Sequence, residues 1–158
     1  MENINNDKQT EIAMFYNLEN LYTPGFMIQQ RSGDLVPGLL RWNEKRYRNK
    51  LFKMASVFQL VREQEGVLPF ITGICEVQGA EPIEELLKLE PFNEEFGYVH
   101  FESLDERGVD VALLYDKSKV EIISAEPISF FFEIQDVEPE SFDTTRDILF
   151  CKIRYKTE

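Results

Sequence analysis

Hydrophobic and polar residues follow two rhythms along this chain, a strand period near both ends and a helical period between. Residues 11–18 (EIAMFYNL) form an apolar, aromatic-rich run with polar Asn17 near its end, the pattern of a buried strand that delivers a polar group to its C-terminal tip. From Glu19 to Arg41 the Pro24-Gly25, Ser32-Gly33-Asp34 and Pro37-Gly38 breaks forbid a regular element and predict a long loop, a feature that in compact domains tends to carry function. Asn43 then offers an N-cap. Tyr47, Leu51, Met54, Phe58 and Val61 recur at three- and four-residue steps, which predicts a helix ending near Gly66.

Pro69 opens a second apolar run, PFITGICEV, read as a buried strand ending at Glu76, and Pro82 starts a short helix through Leu89. The pattern then turns to strands: 97–102, 109–115, 119–124, 127–134 and 146–154, with a turn at Asp116-Lys117-Ser118 and an acidic loop from Gln135 to Asp143. The predicted fold class is α/β (α+β), a mixed sheet with helices on one face. Such a sheet needs a partner for its other face, and the pattern supplies no second layer. Phe130-Phe131-Phe132 sharpens the deficit, because alternation sends those rings to both faces.

Composition narrows the class. At 158 residues, 43% apolar and 29% charged, the chain reads as one globular domain, and its apolar runs fall far short of the ~20 residues of a membrane helix. The net charge of −12 excludes a uniformly basic nucleic-acid wrapper. Seven of the 17 basic residues nevertheless lie between Arg41 and Arg62, where Glu44 is the only acid, so that segment carries +6 and the remainder −18. Most of them fall off the apolar stripe and read as a solvated helix face. Cys75 and Cys151 lack zinc spacing or a disulfide framework, which fits a reducing compartment. The start shows no secretory pattern, so the expected location is cytoplasmic, or exported with a signal already removed.

Two polar residues stand where strand ends place chemistry, Asn17 after AMFY and Glu76 after ITGIC. A carboxylate at the end of an apolar strand is poorly solvated, and a hard divalent cation is one of its better compensators. The blocks FYNLENLY, GDLVPG, WNEKRYRNKL, ITGICEVQG, YVHFESLDERGVDVALLY and TTRDIL, in order and spacing, resemble the N-terminal half of the endonuclease/exonuclease/phosphatase superfamily. The resemblance is nearest to a bacterial branch that opens with an FYN-hydrophobic-EN signature.

That resemblance implies a metal-dependent phosphoesterase fold, a four-layer α/β sandwich of which this chain would hold the first half, residues 1–158 being a single incomplete domain without the second sheet. It implies that Asn17 and Glu76 are catalytic, that Glu76 ligates Mg2+ or Mn2+, and that Arg146 and Arg107, the latter in the loop with Asp105, lie near the phosphate. An Arg fork suits two phosphate oxygens, and the neutral amide of Asn17 orients a partner without adding charge. The family's Gly-Asp-Phe/Leu-Asn and Asp-His motifs do not occur here, and the only histidine, His100, lies inside a strand pattern and reads as satisfied by local hydrogen bonds.

The expected function is therefore the N-terminal portion of a hydrolase of phosphodiesters or phosphomonoesters. On its own this chain is expected to be inactive and to hold metal weakly or not at all, since nothing in it can activate water. Expected partners are a phosphate-ester substrate, with nucleic acid among the candidates, in the full-length enzyme, no membrane, and a second copy of the chain through the exposed sheet. The alternative is a non-catalytic acidic interaction module that keeps the half-fold as a scaffold.

Overall fold

The computed structural model of the chain describes residues 10–26, 41–105, 107–133 and 142–156. Along them run β1 (Ala13–Leu21), α1 (Glu44–Glu65), β2 (Ile71–Val77), α2 (Glu81–Leu87), β3 (Phe96–His100), β4 (Asp110–Asp116), β5 (Val120–Ile128), β6 (Phe131–Glu133), β7 (Phe142–Thr144) and β8 (Ile148–Tyr155). A four-stranded sheet has the order β1-β2-β4-β3, with β1 parallel to β2 and the other pairs antiparallel. Two antiparallel ladders, β5-β8 and β6-β7, complete the α+β fold.

Helix α1 forms where its caps and stripe place it. The Asn43 side chain accepts from the Arg46 N–H at 3.1 Å, and left-handed Gly66 (φ 81°) closes the other end with its N–H on the Arg62 carbonyl. Glu44 in the first turn and Arg62 in the last complement the helix dipole. Tyr47, Leu51, Met54 and Phe58 are buried against Leu18 and Leu21 of β1, Ile74 and Val77 of β2, Ile83 and Leu86 of α2, and Leu114 of β4. Each such side chain contributes roughly 1.5–3 kcal/mol of burial, so this one-sided core fastens both helices to one face of the sheet.

The opposite face is apolar too. Phe15, Gly73, Val111 and Leu113 look across a cavity of about 460 Å³ toward Leu149, Cys151 and Ile153 of β8. The β5-β8 ladder thus supplies a second layer where the sequence pattern showed none, but one of two strands only, and it covers the face in part: Phe15 is 71% exposed. Ile148 and Phe150 point outward on β8, which blurs the alternation that would have revealed its inner face.

Three boundaries differ from the sequence expectation. Strand β1 continues past Glu19, where a loop was expected, because Leu21 returns to the core and pairs with Val77. The break between the expected strands 119–124 and 127–134 falls later than the pattern places it: Phe131–Glu133 is β6, and β5 runs unbroken through Pro127 to Ile128. It can do so because it pairs on one side only, so the missing Pro127 N–H leaves no central ladder short of a donor. Phe142 and Asp143, expected in the acidic loop, belong to β7. Residues 27–40 of the expected long loop and 134–141 of the acidic loop lie outside the described residues.

Candidate active site

The site grows out of two interruptions at the same level of adjacent strands. On β2, Cys75 pairs with Val111 of β4 and Val77 with Asp110, so Glu76 is an extra residue opposite nothing, a β-bulge. Its φ of 63° is left-handed. Regular alternation would have sent Glu76 after Ile74 into the helix-packed core; the bulge instead puts Val77 there and turns the carboxylate toward the strand end. On β1, Asn17 pairs with Cys75 and Leu21 with Val77, so the strand carries surplus residues, and among them Glu19 and Asn20 are left-handed at φ 52° and 59°. These three are the only non-glycine residues with positive φ among those described. Left-handed backbone costs about 1–2 kcal/mol at a residue with a Cβ, a strain that concentrates at functional sites.

Glu76 is mostly buried, its side chain 16% exposed, and both carboxylate oxygens are engaged. Oε2 accepts the N–H of Asn20 at 3.2 Å, and Oε1 accepts from Nη1 of Arg146 at 3.3 Å. The Arg146 Nε lies 4.0 Å from the Asp105 carboxylate, so this cation stands between two acids. Asp105 in turn accepts from the backbone N–H and the guanidinium of Arg107, which keeps the Arg107 side chain firmly protonated against the cost of its burial. Behind them Tyr22 is fully buried and its hydroxyl has no hydrogen-bond partner; burial, opposed by nearby Arg107, pushes it up to about 12.

The sequence-derived residues are brought together unequally. Glu76 and Arg146 touch. Arg107 joins them through Asp105 and feels the Glu76 charge. Asn17 sits one strand away, paired with Cys75, but its side chain is exposed and turned to local use: Oδ1 accepts the Glu19 N–H at 2.8 Å and so helps form the left-handed turn. His100 is as expected a satisfied strand histidine, 6% exposed, with Nε2 3.0 Å from Oδ2 of Asp110. Ser103 donates its N–H and its hydroxyl to the other oxygen of the same carboxylate.

Two residues of the site escape the sequence reading. Gln78 binds the end of β1 to the end of β2: its Oε1 accepts from the Thr23 N–H and hydroxyl at 3.2 and 2.7 Å, while its own N–H donates to the Leu21 carbonyl. Lys50 belongs to the basic helix yet turns inward, with Nζ 2.6 Å from the Glu19 carbonyl oxygen and 5.6 Å from the Trp42 ring centroid. Its position did hold a signal, since it lies three residues after Tyr47 and four before Met54, on the buried stripe.

Among the described residues, no three His, Cys, Asp or Glu side chains gather as a metal cluster. A magnesium-type cation asks for less, one or two carboxylates with its remaining ligands from water and phosphate. The Glu76 carboxylate, the neighbouring Glu19 carboxylate that acts with it on Lys50, and the buried, unpartnered Oδ1 of Asn20 are hard oxygen donors near one strand end, and they suit such an ion. The cations Arg146 and Arg107 beside them suit an anionic oxygen.

No curated protein and no solved structure matches the chain. A family profile matches residues 12–158, a span that takes in the bulged strands, the basic helix and the Asp105–Arg107 loop, and by that match the chain belongs to the Endonuclease/Exonuclease/phosphatase family.

Proposed function

We propose that this chain is the metal-ligand and phosphate-binding part of a divalent-metal-dependent phosphoesterase, corresponding to the N-terminal half of a bacterial member of its family. The observation that carries the reading is the contact between Glu76 and Arg146, an acid turned to the strand end by a bulge and a cation that meets it there from the segment before β8. Glu76 would hold the metal. The ion, when bound, supplies Lewis-acid neutralisation of charge on the phosphate and leaving oxygen.

The chain's own residues do the rest. Arg146 is engaged by Glu76 through Nη1 and lies near Asp105 through Nε, so its guanidinium is oriented before a phosphate arrives. Arg107, fixed by the same Asp105, adds a second cation. Asn17, exposed at the strand end, offers an amide donor to substrate. Proton transfer is where the chain falls short in this reading: His100 is buried with Nε2 engaged by Asp110, which supports inactivity of the chain alone. Self-association belongs to the same reading, because the apolar surface around Phe15 would be covered by a second copy.

The test is the purified chain with MnCl2 or MgCl2, followed by calorimetry and by hydrolysis of a chromogenic phosphodiester. The expected result is metal binding that Glu76→Gln removes, without turnover. Turnover lost in Glu76→Gln would overturn the inactivity, whereas metal binding indifferent to Glu76→Gln would overturn the ligand assignment and favour a non-catalytic interaction module.

A further inference from the structure

The peptide unit joining Glu19 to Asn20 is gripped from both ends. Its carbonyl oxygen accepts from Lys50 Nζ at 2.6 Å, and its N–H donates to Glu76 Oε2 at 3.2 Å. Lys50 also lies 3.4 Å from the next carbonyl, that of Asn20. Both residues are left-handed and lie in the irregular stretch of the β1-β2 ladder, where carbonyls are left to find donors outside regular pairing. A lysine ammonium supplies such donors with charge assistance, and a donor on the carbonyl polarises the peptide so that its N–H binds a carboxylate more strongly.

Nothing about this lysine is accidental to the fold. Its stem lies on the buried stripe of α1 between Tyr47 and Met54, and its ammonium lies near the Trp42 ring, whose own indole N–H donates to the Tyr22 carbonyl at 2.9 Å. Burial draws Lys50 below the ordinary lysine value, against the pull of the Glu19 and Glu76 carboxylates, as befits an ammonium removed from water and given to carbonyls.

We propose that Lys50 is a positioning residue for Glu76: it fixes the Glu19–Asn20 peptide, whose N–H pins one carboxylate oxygen, and so leaves the other oriented for Arg146 and a cation. The inference rests on the proposed function only in taking Glu76 as the working carboxylate.

Amide hydrogen exchange on the full chain tests it. In Lys50→Met, the ratio of exchange rates at Asn20 to Ile74, a core amide of β2, is expected to rise about tenfold, because the peptide opens locally while the core does not. Mn2+ affinity, measured with MnCl2 alone, is expected to fall about tenfold, as for other groups that orient a ligand. Lys50→Arg, which keeps the charge, is expected to recover part of both. An unchanged Asn20-to-Ile74 ratio in Lys50→Met overturns the proposal, and if that variant loses its cooperative melt the same ratio in Lys50→Gln decides. Should Mn2+ binding prove indifferent to Glu76→Gln, the metal reading fails by itself and the exchange ratio still judges Lys50.

Discussion

Arg146 and Glu76 stand 70 residues apart in sequence and 3.3 Å apart in space. Each is the other's nearest opposite charge at the strand end, and each is only partly open to solvent, 29% and 16%. An ion pair of this kind is a weak source of stability, since desolvation offsets most of the attraction. Its use is orientation of a fork toward an incoming anion.

Arg146→Ala is accordingly expected to weaken inorganic phosphate binding by about 10- to 100-fold, the range for a charge-assisted hydrogen bond. Arg146→Lys should fall between, because an ammonium keeps the charge but not the planar fork. Calorimetric titration with phosphate measures both. Equal affinity in all three chains would remove Arg146 from the phosphate site.

Glu19→Gly should stabilise the fold by about 1 kcal/mol. Residue 19 is exposed and left-handed at φ 52°, a conformation that glycine adopts without the Cβ penalty, and the carbonyl that Lys50 binds is unchanged. Urea denaturation reads the shift in midpoint at unchanged slope. A loss of stability would mean that the strain is not where the backbone places it.

The His100-Asp110 pair gives a stability signature in acid. Burial alone would raise the Asp110 carboxyl, but hydrogen bonds from His100 and from the Ser103 hydroxyl and N–H outweigh it and hold the group below its ordinary 3.8. Its contribution is therefore complete above that value and is lost as pH falls through the lower, folded value. Below pH 3.8, urea midpoints should decline more steeply with falling pH in the parent than in Asp110→Asn. His100→Phe, which strips a donor from a buried carboxylate, should cost about 1–3 kcal/mol at neutral pH.

What the sequence made legible was local. Apolar runs of strand length announced β1, β2 and β4, and Asn43, the Tyr47-to-Phe58 stripe and Gly66 marked the start, buried face and approximate end of α1, because caps and stripes are written in neighbouring positions. Glu76 was readable as a polar end to an apolar strand. Its bulge was not, since a left-handed glutamate breaks the usual link between residue type and backbone conformation. Arg146 was reached only through resemblance, because a contact across 70 residues leaves no period behind. Lys50 was not told apart from the other basic residues of the helix, of which most are exposed as expected while this one lies on the buried stripe and turns inward.

The bulge at position 76 makes the acid a matter of chain length as well as chemistry. Deleting that residue outright would let Cys75 and Val77 follow Val111 and Asp110 in regular register, and the β2-β4 ladder would run on with its core residues in place. A substitution at 76 leaves a crippled site in a strained frame, whereas a single-codon loss would erase the site and relax the strand. The same one-residue step, taken in reverse, is a short route by which the end of an inert strand gains a carboxylate.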